Sequence, residues 1–320
     1  MKFGLLGAGR IGKKFCDAMQ SVEGSTVIAV ASATPGKAIA FAKEKNIPNA
    51  YDSYEKMLQN PEIDCIYICT THNFHYENLL TCIQYKKHII CEKPFVLHKW
   101  QASEIFEKAK QAHIFVMEAM WSRFTPAISK AKAWIQEGKI GTVKLANYAI
   151  GFKSGTDPEH RLLNPSLAGG VLYDLGVYPI EVITFLVGQK LQDVTSMILP
   201  DDFGRVDGTD CIILKFSDSL ATLNCTIASS VVQHCNIYGT EGRIYIENPH
   251  SVNFCTLYNN DGSTETFHTP LENGFEYQIM HMVEQIKNNR QESDIMPYKD
   301  TIECAEIFDK VFEQNKGILP

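Results

Sequence analysis

Gly7-Ala8-Gly9-Arg10-Ile11-Gly12 is the stretch that decides the fold. It fits G-x-G-x-x-G, which alone could be a tight turn in any α/β protein. Its surroundings are more specific: an apolar run at 3–6 precedes it, a helical pattern at 11–20 follows, and a second apolar run comes at 26–31. Strand, glycine turn, helix and strand form the context that makes the motif a dinucleotide site. Gly7 allows the turn, Gly9 lets backbone approach a pyrophosphate, and Gly12 lets the helix pack on the strand. The helix start around Ala8, Arg10 and Ile11 offers free N–H groups and a partial positive charge to the phosphates.

Working outward, apolar runs at 65–69, 88–91 and 114–117 predict further strands, with helices over 37–45, 76–85 and 101–111 between them. Ser53 caps a short helix through 58. Continuous apolar strands separated by helices predict a doubly wound parallel sheet covered on both faces. After residue 120 the pattern changes. A helix over 127–137, a strand over 142–150 and an apolar helix over 173–186 lead into strands at 211–216, 221–228, 234–238, 243–247 and 252–258. Helices over 276–287 and 301–315 finish the chain. The expected architecture is α/β: a Rossmann dinucleotide-binding domain over 1–120, then a substrate domain over 121–320. The second domain is α+β, with a large, mostly antiparallel open sheet.

Composition narrows the partners. The net charge is −7 and Lys and Arg form no run, which speaks against a nucleic-acid surface. No apolar stretch reads as long enough to cross a bilayer, and the N-terminus lacks a signal-peptide pattern. The ten cysteines include no CxxC pair, and several sit inside apolar runs. Buried reduced thiols in the cytoplasm are therefore expected. The ligand is expected to be a small molecule.

An NAD-specific site usually ends its second strand with Asp or Glu on the ribose 2′-hydroxyl. Here the strand ends Ala31-Ser32-Ala33-Thr34-Pro35-Gly36-Lys37, with no acidic side chain. Ser32, Thr34 and Lys37 suit a 2′-phosphate, so NADP is preferred and NAD remains possible. The other reading of Ser32 and Thr34 is as plain turn residues.

Ligands of open α/β sheets bind outside the strands' carboxyl ends. Thr70, His72 and His75 fall there after the third apolar run, and Glu92 and Lys93 after the fourth. Pro94 restricts the backbone at Lys93 to extended conformations. A hydroxyl gives up hydride only as its proton leaves, and a positioned lysine is a candidate base. In the later domain Asp174 and Tyr178 are four apart on an apolar helix. They are either a cap and a core tyrosine or a pair projecting into a cleft, with Tyr178 sharing acid/base work. His72 and His75 have no third ligand nearby in sequence, so no metal is expected. Trp121 and Phe152 are core aromatics or an apolar wall for a ring substrate.

Four stretches, in order and spacing, resemble the Gfo/Idh/MocA family: the glycine turn, Glu92-Lys93-Pro94, Met117-Glu118-Ala119-Met120-Trp121-Ser122-Arg123-Phe124, and Leu167-Ala168-Gly169-Gly170 with Asp174-Leu175-Gly176-Val177-Tyr178-Pro179. The resemblance implies an NAD(P)-dependent oxidoreductase acting on a secondary alcohol of a sugar, polyol or cyclic diol. It implies Lys93 and Tyr178 as the catalytic pair with Asp174 in support. It also implies His75 beside the nicotinamide, Trp121, Arg123 and Phe152 at the substrate, and a homodimer through the open sheet. Two rival readings are a non-catalytic dinucleotide sensor and a glycosidase that uses bound NAD transiently.

Overall fold

The computed structural model describes residues 1–317. Strands and helices alternate at first: β1 (Lys2–Leu6), α1 (Arg10–Met19), β2 (Thr26–Ala31), α2 (Lys37–Lys45), β3 (Asn49–Tyr51), α3 (Tyr54–Leu58), β4 (Cys65–Ile68), α4 (His75–Gln84), β5 (His88–Glu92), α5 (Lys99–Ala112) and β6 (Val116–Ala119). The six strands form one parallel sheet in the order β3-β2-β1-β4-β5-β6. The order reverses between β1 and β4, the switch point at which such sheets bind dinucleotides. Every residue of β4 is buried, which is why it reads as an unbroken apolar run; β6 is also buried throughout but sits two residues later than the run at 114–117 and includes Glu118. The edge strand β3 is three residues of mixed exposure and carries no such signal. Ser53 caps α3 as expected, its side chain accepting from the Lys56 amide.

The chain continues with α6 (Pro126–Gln136), β7 (Val143–Gly151), α7 (Val177–Val187), β8 (Leu191–Pro200), β9 (Asp207–Phe216), β10 (Leu220–Thr226), β11 (His234–Gly239), β12 (Gly242–Glu247), β13 (Phe254–Asn259) and β14 (Thr264–His268). It closes with α8 (Phe275–Lys287) and α9 (Tyr298–Gln314). Eight strands make a sheet ordered β14-β13-β12-β11-β7-β10-β9-β8, antiparallel except where β7 meets β10. Along β9, buried Asp210, Ile212, Leu214 and Phe216 alternate with exposed Cys211, Ile213 and Lys215. This alternation means one face packs on a core and the other is open. On the core side α7 packs against β7 and α6 against β13. The helix expected over 173–186 starts differently: Leu172–Gly176 forms a π turn that leads into α7.

Two compact units emerge: Met1–Trp121 with Asn273–Ile302, and Ser122–Glu272 with the chain from Glu303 on. The first unit thus takes in residues 273–302 from the later part of the chain as well as residues 1–121. α8 belongs to the first unit because α1 covers its apolar face, and Asn273 Nδ2 donates to the Lys14 carbonyl at 3.0 Å. Positions 318–320 of the domain expected over 121–320 lie outside the described residues. The expectation about bilayer-length segments needs correction. Pro165–Val187 has the length and apolarity, yet 83% of its most apolar window is buried inside the fold.

Candidate active site

In the first unit the glycine turn lies between β1 and α1. Gly7 has φ 116°, and a Cβ there would sit 2.8 Å from the Cys69 carbonyl oxygen, so no other residue fits unstrained. A Cβ on Gly12 would meet Cys69 Sγ, Leu5 and Phe41 at 3.3–3.4 Å, which is the close helix-to-strand packing expected of it. At Gly9 the nearest atom to a Cβ would be 3.9 Å away, leaving open space over the turn. No side chain caps α1 at Gly9, so its first amides are unspent. Ala8 is buried, Ile11 half-buried and Arg10 exposed. The open cradle and free amides fit a dinucleotide pyrophosphate.

Beyond β2, Ser32 is buried and its Oγ accepts from the Thr34 amide at 3.2 Å, a turn bond. Thr34 and Lys37 are exposed, and Lys37 leads α2.

Two bonds fix the segment that carries Lys93. His75 is buried, with Nδ1 2.9 Å from the Pro94 carbonyl and Nε2 3.2 Å from the Thr70 carbonyl. Burial, above all, pushes its pKa down, and the Lys93 charge adds to that. A neutral imidazole donates to one carbonyl only, and the shorter contact favours Nδ1–H. Next along the chain, the Phe95 amide donates to Glu118 Oε1 at 3.0 Å. The other oxygen of Glu118 accepts from Thr301 at 2.9 Å. Lys93 itself is half-buried, and the Lys93–Pro94 bond is cis. Glu92 is buried and accepts a short hydrogen bond from Tyr67. Its desolvation raises its pKa, while Tyr67, Lys93 and Lys14 work against the rise. Thr70 Oγ1 accepts from Asn78, and His72 opens a single 3₁₀ turn after β4. Among the described residues no cluster of His, Cys, Asp and Glu could hold a metal.

Lys14, Tyr67 and Glu118 escaped the sequence reading. The Lys14 ammonium lies 4.0 Å from the Trp121 ring centroid and 4.3 Å from that of Phe275, and burial lowers its pKa. Only the position of Glu118 inside the quoted Met117–Phe124 stretch pointed to it. Trp121 is only 5% exposed and packs 5.3 Å from Phe275, with the Lys14 ammonium over its ring.

In the second unit Asp174 sits in the π turn, and its Oδ1 accepts from Arg161 Nη1 at 2.9 Å. Tyr178 is the second residue of α7, nearly buried, its ring 5.9 Å edge-on from His250. π turns recur at functional sites because they re-aim side chains within a helix. Phe152 follows β7 and is 38% exposed. Arg123 overturns its expected role at the substrate. It is fully buried, paired with Glu181 at 2.5 Å, and donates through Nε to the Glu181 carbonyl and through Nη2 to Thr184. These Nε and Nη2 bonds hold α7, and the side chain has no solvent-facing surface.

Comparison with known proteins agrees with this geometry. Residues 1–120 match the family model described as oxidoreductase family, NAD-binding Rossmann fold, and 128–245 match the GFO/IDH/MocA C-terminal domain. Trans-1,2-dihydrobenzene-1,2-diol dehydrogenase of Xenopus laevis is 33% identical over 330 residues, covering 100% of this chain and 99% of its own. The Homo sapiens protein of that name is 26% identical, covering 97% and 96%. Among solved structures, aldose-aldose oxidoreductase from Caulobacter crescentus superposes with a TM-score of 0.89 at 22% identity, covering 98% and 97%. Levoglucosan dehydrogenase in complex with NADH and levoglucosan superposes at 0.87 and 21%, covering 98% and 96%. With its NAD(P)-binding Rossmann unit and its full-length match to these enzymes, the chain belongs to the GFO/IDH/MocA oxidoreductase family.

Proposed function

We propose that the protein is an NAD(P)-dependent dehydrogenase that oxidises a secondary alcohol of a sugar, polyol or cyclic diol, and reduces the ketone in reverse. The observation that carries this reading is the double clamp on Lys93: His75 at the Pro94 carbonyl and Glu118 at the Phe95 amide. Both act at the carboxyl end of β5, on the same edge of the sheet as the glycine turn. A surface lysine needs no such scaffold, whereas a proton acceptor held in one place does.

A bound nicotinamide supplies the acceptor for the hydride that leaves the carbinol carbon. Lys93 takes the hydroxyl proton as that C–H bond breaks, and the C–O bond becomes a carbonyl. Tyr178 serves as the second proton-transfer group. Asp174, oriented by Arg161, accepts from a neighbouring substrate hydroxyl, and Phe152 offers an apolar surface. The absence of an acidic side chain after β2, with Thr34 and Lys37 exposed, supports NADP over NAD.

The uncovered sheet face supports a homodimer: Leu145, Met197, Leu199, Ile213 and Leu220 are all exposed on it. Elution as a monomer at working concentration would remove that assignment. The cysteines are free and nine of the ten are buried, which supports a reducing compartment, the cytoplasm. The test of the catalytic assignment is turnover by Lys93→Ala and Tyr178→Phe. Each should lose about 100-fold or more in kcat, with dinucleotide affinity nearly unchanged. Full activity in either variant removes that residue from the mechanism.

A further inference from the structure

Asp207 and Asp210 on β9 are both fully buried, and among the described residues no cation acts on either carboxyl. Three residues apart on a regular strand, they would point to opposite faces. A register shift opposite Leu199 and Pro200 inserts Gly208 as an extra residue and turns both carboxyls toward the core. A side chain at 208 would collide with the Asp201 backbone at 2.9 Å. Asp207 Oδ2 accepts from the Leu172 amide at 2.6 Å, and the Val171 amide also donates to this carboxyl. Oδ1 of Asp207 fills the space of a missing side chain, since a Cβ on Gly170 would lie 1.9 Å from it.

The amide of Leu172 opens the π turn, with Asp174 two residues on and Tyr178 six residues on, all in one helical run. The titratable groups facing the pair are Tyr173 from that turn and Cys225 from β10, with Cys211 and Asp309 beyond them. None is a cation. Two bare carboxylates in such a place would repel each other with no compensating charge, so one proton must be shared. Burial raises both groups, Asp207 to about 6 and Asp210 well above the carboxylate range.

We propose that Asp207 and Asp210 form one proton-sharing unit that positions Tyr178. Asp210 carries the proton and donates it in a hydrogen bond to Asp207, and the Asp207 carboxylate holds the amide end of the Tyr178 helix. Both are positioning residues, and the inference rests on the assignment of Tyr178 to proton transfer.

The assay compares Asp207→Asn, Asp210→Ala and Asp210→Asn in the full-length protein, by kcat, dinucleotide affinity and infrared spectroscopy at neutral pH. Asp210→Ala should lower kcat about tenfold with dinucleotide affinity unchanged. Asp210→Asn, whose amide donates as the protonated acid does, should recover most of that loss, while Asp207→Asn should not. The wild type should show a protonated-carboxyl C=O band that Asp210→Asn removes. An Asp210→Asn variant as impaired as Asp210→Ala overturns the proposal, as does an unchanged kcat in Asp210→Ala. A wild type without the band overturns it as well. The band reads the pair even if Asp207→Asn fails to fold or the wild type turns over no substrate, so a failure of the dehydrogenase reading stays distinguishable.

Discussion

The His75 ring spans the two strand ends that carry the candidate chemistry, 2.9 Å from the Pro94 carbonyl and 3.2 Å from that of Thr70. It is a strut first. His75→Ala leaves the Pro94 carbonyl short of its imidazole donor, which costs on the order of 1–3 kcal/mol. It also frees Lys93 to wander, so kcat should fall while dinucleotide affinity changes little. Unaltered kcat in a folded His75→Ala variant would refute the strut.

The same residue sets a direction for pH. Burial lowers its pKa, so the folded protein keeps it neutral while the unfolded chain takes up a proton below ~6.5. Stability from this group is present above that pH and is lost as pH falls. His88 and His281 shift the same way, so the comparison must be with His75→Gln, whose melting temperature should fall less steeply toward acid.

Gly7 and Gly9 should separate folding from binding. Gly7→Ala places a Cβ against Cys69 at positive φ and should cost on the order of 1–3 kcal/mol of stability. Gly9→Ala meets nothing nearer than 3.9 Å and should fold normally. Its methyl group intrudes where backbone must approach a pyrophosphate, so dinucleotide affinity should drop about tenfold or more. Thermal melts and dinucleotide titration of the two variants check this. An equal stability loss in both would contradict it.

Arg123→Met should be a folding mutation. It leaves Glu181 buried without its ion-pair partner, and breaking such a pair costs ~3–5 kcal/mol. A stable variant with only KM raised would restore Arg123 to the substrate.

How much of this was legible beforehand follows from what each signal depends on. β1, β2, β4 and β5 are buried on both faces, and that burial writes itself into the sequence as apolar runs. The edge strands β3 and β14 are largely exposed, so nothing in their composition distinguishes them from loops. The return of α8 to the first unit depends on contacts with α1 more than 250 residues earlier, and periodicity is local. Lys93 was found because a proline follows it. Its clamps, His75 and Glu118, come from other elements, and only the first looked chemical in sequence. Arg123 misled because a charged residue in a family motif suggests chemistry, and Glu181, its partner, lies 58 positions away. Asp207 and Asp210 were missed because a bulge reverses the face that their spacing implies.

The central claim is hydride transfer, and the most direct measurement is reduction of NADP and, separately, of NAD by the purified protein against aldoses, inositols and cyclic diols. The account predicts turnover with one substrate class, faster with NADP, and abolished by Lys93→Ala. Dinucleotide that binds but is never reduced across the whole panel would contradict it, pointing instead to a sensor or to a glycosidase.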